Sequence, residues 1–342
     1  MIHRLRTLCA LRVHKPPSAV VASRRLQVAL QITEHSLDDL LGELLIKLLE
    51  STCVILPTKG EASELRAVTL QLTNPLARLS RTQTRGRLFS GLGELCWYLS
   101  GSANVDAIAY YLPRYREFAV GNEVPSAYGP RLRHFDGFDQ LLNAVNSINA
   151  NPWTRKAVIQ IFDHSDLALG LTEVPCTCTL QFMLRDGSLE LIVYMRSNDA
   201  YLGLPHDIFA FTMMQELVAR LVGVDLGVYT HVVGSMHLYT ENKNQARTFL
   251  SEGWQSNVLM PAMPANPSNG LEWLLSTESQ VRAEPDPLRV DLDGPDPYWS
   301  DLACLLAIFG LLKQGRTDDI VRLRTKLHSA VYDVYVADRL PL

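Results

Sequence analysis

The chain has 342 residues, 47% hydrophobic and 20% charged, with a formal net charge of -4. This excludes a disordered or fibrous chain, allows a sizeable core in one large domain or two small ones, and leaves no global electrostatic pull on nucleic acid. The six cysteines lie scattered behind no secretory leader, pointing to a reducing, cytoplasmic setting, and no apolar run reaches the ~20 residues that cross a bilayer.

Residues 1–33 form a basic arm: Arg4, Arg6, Arg12, Lys15, Arg24 and Arg25 precede the first acid, Glu34. Such a leader suits an organellar transit peptide, or equally a loose arm or an extended translation start. Ser36 then opens an amphipathic helix, with Leu37, Leu40, Leu41, Leu44, Leu45, Leu48 and Leu49 at helical spacing and Asp38 and Asp39 in its first turn. A strand over Leu65 to Leu72 follows the turn at Lys59-Gly60. A second helix, from Arg85 to Leu99, carries Glu94 on its apolar face, where an acid needs a reason. The helix from Gln140 to Ile148 stops before Asn151-Pro152, because the residue before proline is pushed out of the helical region.

The central third turns to strands at Ala157 to Phe162, Thr179 to Leu184 and Leu189 to Met195, the last two joined by the Arg185-Asp186-Gly187 turn. Pro205 opens a long helix through Val222, and Val228 to Val233 reads as a further strand. Mixed helices and strands in this order predict an α+β domain. Pro261 to Pro297 is rich in proline and turn residues, and Trp299 to Leu312 and Asp318 to Asp338 read as two final helices, the first of them buried.

Several residues draw chemical interest. Cys176 is a soft nucleophile if ionised, and cationic neighbours such as Arg155 and Arg196 would favour its thiolate; a buried structural cysteine is the plain alternative. Cys176-Thr177-Cys178 lacks a second Cys or His pair, so no metal site is expected. The planar fork of Arg196 suits a phosphate, though a lone arginine at a strand end is also an ordinary solvated charge. A carboxyl group on an apolar helix face, as at Glu94, can have a raised pKa and pass protons. Asp207 near the start of a helix is, on its own, an acid favoured by the helix dipole.

Four motifs follow in order: Pro175-Cys176, Tyr194-Met195-Arg196-Ser197-Asn198-Asp199, Leu202-Gly203-Leu204-Pro205-His206-Asp207 and Gly234-Ser235-Met236-His237-Leu238-Tyr239. Their order resembles the thymidylate synthase family. The resemblance spans roughly Lys59 to Arg247 and is densest from Pro175 to Tyr239. It implies an α+β fold with a mixed sheet at a homodimer interface and a catalytic domain over 34–260, on which the divergent proline-rich segment and C-terminal helices of 261–342 are expected to pack.

By resemblance, Cys176 adds to C6 of a pyrimidine nucleoside monophosphate, and 5,10-methylenetetrahydrofolate supplies one carbon to C5. Glu94 moves protons at the ring and helps release the folate, Tyr128 removes the C5 proton, and Asp199 orients the pterin. Arg196 and Ser197 hold phosphate, as do Arg155 and Lys156 reaching across to a neighbouring subunit, while His237 and Tyr239 bond the sugar 3'-hydroxyl. Lys59 is the nearest counterpart of the family's phosphate-loop arginine. Thr177 stands where the family has His, and Ser235 where it has an acid.

One departure is chemically legible. Where the family reads Leu-Gly-Leu-Pro-Phe-Asn, this chain has Asp207 in place of the Asn that reads uracil. A carboxylate accepts from the 4-amino group of cytosine and from a protonated N3, and a mismatched buried edge can discriminate by ~10⁴. The cytidylate 5-hydroxymethylase branch of the family carries this change. The segment Leu112 to Glu117 also lacks the tryptophans of the methylating members, and the C terminus is extended; both favour water over hydride in the final step. The expectation is therefore hydroxymethylation of CMP or dCMP, with a thymidylate synthase acting on dUMP and a non-catalytic nucleotide- or RNA-binding regulator as alternatives.

Overall fold

The computed structural model describes residues 29–168 and 173–340, so the basic run from Arg4 to Arg25 lies outside the described residues. Strand β1 (Leu30–Glu34) leads into helix α1 (Leu37–Glu50), which starts where the Ser36 hydroxyl accepts from the Asp39 amide at 3.2 Å. Six of its leucines are at most 2% exposed, so the leucine stripe is the face that packs on the sheet.

Strands β2 (Val54–Ile55) and β3 (Ala62–Leu72) follow. Helix α2 (Leu88–Leu99) is buried along nearly its whole length. Short helices α3 (Val105–Ala109) and α4 (Tyr128–Arg133) flank a 3-10 turn over Pro113–Phe118, and α5 (Gln140–Ala150) ends ahead of Pro152 as the sequence predicts.

Beyond β4 (Val158–Gln160) and α6 (His164–Ala168) come the long elements: β5 (Thr177–Arg185), β6 (Ser188–Asp199), α7 (Leu204–Val222) and β7 (Asp225–Tyr239). The β5–β6 hairpin turns through Asp186 and Gly187 at φ of 49° and 79°. Positive φ at both central positions is the geometry that keeps the twist of paired strands, and an Asp-Gly pair tolerates it.

Among the described residues the strands form one seven-stranded mixed sheet with a main path β1-β3-β7-β6-β5-β4, and β2 pairs with β3 off that path. β6 runs parallel to β7, while β5 is antiparallel to β6. This α+β architecture agrees with the expected fold class. β6 and β7 run well past the predicted strand ends, because their continuations, Arg196 to Asp199 and Gly234 to Tyr239, pair with each other although they read as polar motif. Arg196 therefore lies within a strand rather than beyond its end. A side chain at Gly234 would bring its Cβ within 2.9 Å of the Arg196 carbonyl, so this pairing needs a glycine there.

The C-terminal part departs from expectation twice. Inside the proline-rich stretch the chain forms α9 (Ser268–Ala283), preceded by the short α8 (Lys243–Ser251). Its helix-forming run between Pro267 and Pro285 is long enough for more than four turns. Helix α10 (Pro297–Gln314) is buried on almost all sides, as its unbroken apolar run requires. The last predicted helix is in fact broken into α11 (Thr317–Arg324) and α12 (Asp333–Ala337). Buried Asp301 accepts from the backbone amides of His328 and Ser329 at 2.7 and 3.0 Å, which holds the connecting turn against α10. No helix among the described residues is long and apolar enough to cross a membrane.

Candidate active site

Pro175 and Cys176 lie immediately before β5, beside the C-terminal ends of β6 and β7 and the start of α7. The Arg196 amide donates to the Cys176 carbonyl at 2.9 Å, and its guanidinium donates to the Pro175 and Val174 carbonyls at 3.0 and 2.9 Å. Thus anchored, Arg196 Nη2 stands 3.7 Å from Cys176 Sγ. Burial pushes the thiol up from its ordinary value, and the charges of Arg196 and, more weakly, Lys59 pull against it. The thiol's net shift is thus upward, not downward as its cationic neighbours suggested, because desolvation outweighs them.

Lys59 pairs with Glu173 at 2.7 Å and lies over the Phe118 ring, at the edge of this cluster. Tyr128 sits on the other side: its hydroxyl accepts from the Thr177 amide at 3.2 Å and from the Thr177 hydroxyl at 3.1 Å, and its ring stacks on Tyr98. Thr177 thus holds the tyrosine beside the thiol from the position where the family has histidine. The five described cysteines are free, and no group of three or more metal-binding side chains gathers among the described residues.

Glu94 projects from α2 into a cage of donors. Tyr98 donates to Oε1 at 3.0 Å, Tyr115 from the 3-10 turn donates to the same oxygen at 2.5 Å, and His206 Nδ1 meets Oε2 at 2.9 Å. Burial pushes this carboxyl up, but the hydrogen bonds and charge of His206 and the two tyrosines hold it below its ordinary value. The raised pKa expected of an acid on an apolar face is thus reversed, since the face is apolar only when read along α2 alone. In the tryptophan-free Leu112 to Glu117 segment, Tyr115 packs edge-on against Trp97 and brings its hydroxyl to the acid.

Asp207, one residue on from His206, has the opposite fate. Burial raises its carboxyl well above the usual range, the neighbouring charges of Glu94 and Asp199 add to the effect, and a hydrogen bond from Asn198 opposes it. Its pKa is thus pushed in the opposite direction to that of Glu94, by burial and like charge. Behind it runs a buried polar row. Asn198 Nδ2 lies 3.1 Å from Asp207 Oδ2 and 3.0 Å from His231 Nε2, and His231 Nδ1 lies 2.6 Å from the Tyr229 hydroxyl. Burial pushes the His231 imidazole down to about 3, so it is neutral.

The remaining candidates divide. Ser197 and Asp199 follow Arg196 along β6, and Asp199 Oδ1 accepts from the Tyr201 and Leu202 amides at 2.8 and 3.0 Å, which shapes the loop into α7. On β7 the His237 and Tyr239 rings meet edge to face at 4.9 Å, with Asp199 paired opposite His237. The acid missing at Ser235 arrives from β3 instead, where Glu64 Oε1 accepts from the Ser235 hydroxyl. Arg155 and Lys156 stand apart, exposed in the turn before the edge strand β4.

A cavity beside the Glu94 cage is lined by Arg85, Ser80, His206, Phe209 and Tyr335, among others. Arg85 lies over the Tyr201 ring, and its buried Nε and Nη1 have no hydrogen-bond partner. Tyr335 comes from α12, so the C-terminal extension forms one wall of this cavity.

Sequence reasoning missed Tyr98, Tyr115, Asn198, His206 and Arg85. His206 alone carried a visible signal, since it replaces the Phe of the motif that contains Asp207. With this geometry in view, the thymidylate synthase family model matches residues 67–268. More than half of the sequence lies inside that match, and the chain therefore belongs to the thymidylate synthase family, enzymes of folate-dependent one-carbon transfer to pyrimidine nucleotides.

Proposed function

We propose that the protein hydroxymethylates CMP or dCMP at C5, within a catalytic domain over residues 34–260 carrying a C-terminal extension over 261–342. The observation that carries this reading is the acid itself: Asp207 stands where the family has Asn, hydrogen-bonded by Asn198 at 3.1 Å and pushed up by burial, in the cleft that Cys176, Tyr128 and Glu94 share. A neutral carboxyl group donates through its O–H and accepts through its carbonyl oxygen. Cytosine offers the complement, an accepting N3 and a donating 4-amino group. As sulfur adds to C6, electron density builds on N3, and transfer of the Asp207 proton there neutralises it while leaving a carboxylate to accept from both ring groups.

Arg196 at 3.7 Å lowers the cost of forming the Cys176 thiolate, against the upward push of burial. Tyr128, fixed by Thr177, is placed to take the C5 proton, and Glu94 is ionised and placed to exchange protons with water at C5. Arg196, Ser197 and Lys59 would meet the phosphate, and His237 and Tyr239 the sugar. Arg155 and Lys156, exposed away from this cluster, would reach the phosphate in a homodimer partner.

The orphaned guanidinium nitrogens of Arg85 beside the cavity suit a ligand rich in carbonyl and carboxylate oxygens, which fits a folate. When bound, 5,10-methylenetetrahydrofolate supplies the one-carbon unit, and Arg85, Asp199 and Glu94 would be the residues that hold it. A water held by the donors of the Glu94 cage would give a hydroxymethyl product in place of a methyl one.

The dUMP synthase alternative draws on the same proton, because a neutral acid presents one donor and one acceptor, as an amide does. Incubation with methylenetetrahydrofolate and CMP, dCMP, UMP or dUMP separately, followed by product mass and dihydrofolate absorbance, decides between them. The expected result is a 5-hydroxymethylcytidylate without dihydrofolate. Dihydrofolate formed with dUMP overturns it in favour of the synthase, and nucleotide binding without turnover in favour of the regulator.

A further inference from the structure

His206 has no part in the reading above beyond its contact with Glu94, yet its surroundings are specific. Its Nδ1 is 2.9 Å from Glu94 Oε2, its Nε2 is 3.3 Å from the Ser90 hydroxyl one turn earlier on α2, and its ring borders the cavity that Arg85 and Tyr335 line. Its side chain is 12% exposed. Both nitrogens are thus engaged, and the imidazole bridges the catalytic carboxylate and the cavity. A phenyl ring in the same place, as in the motif Leu-Gly-Leu-Pro-Phe-Asn, could do neither.

We propose that His206 is a positioning residue for the water step: it holds the Glu94 carboxylate in the orientation that accepts a proton from water attacking the C5 methylene, and the Ser90 hydroxyl on the far side of the ring keeps the imidazole in that place. The proposal rests on the hydroxymethylase reading. In the step it serves, the water oxygen bonds to the exocyclic methylene carbon as one water O–H bond breaks, and that proton goes to Glu94. The methylene π pair moves into the ring and on its return expels the Cys176 sulfur from C6 as thiolate, restoring the C5–C6 double bond. No electrons are left over, so no oxidant or reductant is required.

The groups facing Glu94 are Tyr98 on its own helix, Tyr115 on the 3-10 turn, and His206 and Asp207 on α7, with Tyr128 of α4 stacked on Tyr98. Of these, His206 contributes most to holding Glu94 below its ordinary value against burial. Removing it must raise the Glu94 titration midpoint.

The test compares wild type, His206→Phe and His206→Asn. Phe is the motif's own residue and fits the space; Asn can still donate to Glu94 but does not titrate. Carboxyl-labelled glutamate, assigned with Glu94→Gln, gives the Glu94 midpoint by NMR without any turnover. The expected result is an upward shift of about one pH unit or more in His206→Phe, a matching shift of the acid limb of kcat, and partial recovery of both in His206→Asn. A folded variant with an unmoved midpoint overturns the proposal, and if His206→Phe does not fold, the Asn variant decides by whether its midpoint and acid limb lie between or on the wild-type values. A shifted midpoint in a protein that makes no 5-hydroxymethyl product would keep the His206 to Glu94 coupling and overturn the hydroxymethylase reading instead.

Discussion

Glu94 and Asp207 are two acids that face the same cleft and act on each other, yet their surroundings push them in opposite directions. Both are penalised by burial. Glu94 meets three donors, from His206, Tyr98 and Tyr115, and is held below its ordinary value; Asp207 meets one, from Asn198, together with the charges of Glu94 and Asp199, and is pushed above it. The count of donors, rather than the depth of burial, separates the two directions here. A pair of carboxyl groups pushed apart in this way is suited to a site that donates a proton at one edge of a ring and accepts one at another.

The largest expected effect falls on what the two acids serve in common. Cys176→Ser should reduce product formation by about 10⁴-fold or more whichever nucleotide is offered, since loss of the nucleophile removes the covalent route. Substantial turnover in this variant would mean that the two acids do not flank a covalent addition at all.

Asp207→Asn removes one side of the comparison. Preference should move from cytidylate to uridylate, with the ratio of kcat/KM values changing by about 10² to 10⁴, because an amide cannot give N3 a proton. Stability offers an independent reading of the same proton. With its pKa raised in the folded state, wild-type Asp207 costs stability as pH rises above the ordinary carboxylate value of ~4 toward the folded value. The variant should therefore gain on wild type in thermal midpoint as pH increases through that window, and parallel curves would show that Asp207 ionises freely.

Glu94→Gln removes the other side. It should lower kcat by about 10² to 10³-fold while nucleotide affinity changes little, because proton transfer is lost and the phosphate and sugar contacts remain. An unchanged kcat would leave the donor cage without a purpose in chemistry.

Smaller changes sharpen the contrast instead of removing it. Asn198→Ala strips Asp207 of its one donor and leaves neutral His231 short of a partner, which should cost about 1–3 kcal/mol in urea unfolding and push the Asp207 midpoint higher still. Tyr115→Phe removes one of three donors to Glu94 and should cost about 1 kcal/mol, with a modest upward shift of the Glu94 midpoint. If these variants moved the two acids in opposite directions, the donor count would not be the cause.

Much of this was legible along the chain. The leucine spacing of α1, the Asp186-Gly187 turn, the long α7 and the buried α10 follow from periodicity and turn chemistry. The motif order located Cys176, Arg196, Asp199, His237 and Tyr239, which the structure gathers around the ends of β5, β6 and β7. Helix α9 was hidden by its proline-rich flanks, and the break between α11 and α12 depends on Asp301, some 27 residues away from the turn it holds.

Residue types and their spacing by themselves determined most strand and helix classes, the family pattern, and the candidates for nucleophile and acids, because these depend on local backbone preference and on short motifs. Which acid is pushed up and which down could only be decided by the fold. Protonation depends on the balance of desolvation against donors and charges, and those reach Glu94 from α2, the Pro113–Phe118 turn and α7, segments that lie far apart in the chain. The direction of the Cys176 shift and the place of His206 between Glu94 and the cavity were decided in the same way, by groups that become neighbours only when the sheet and helices have packed.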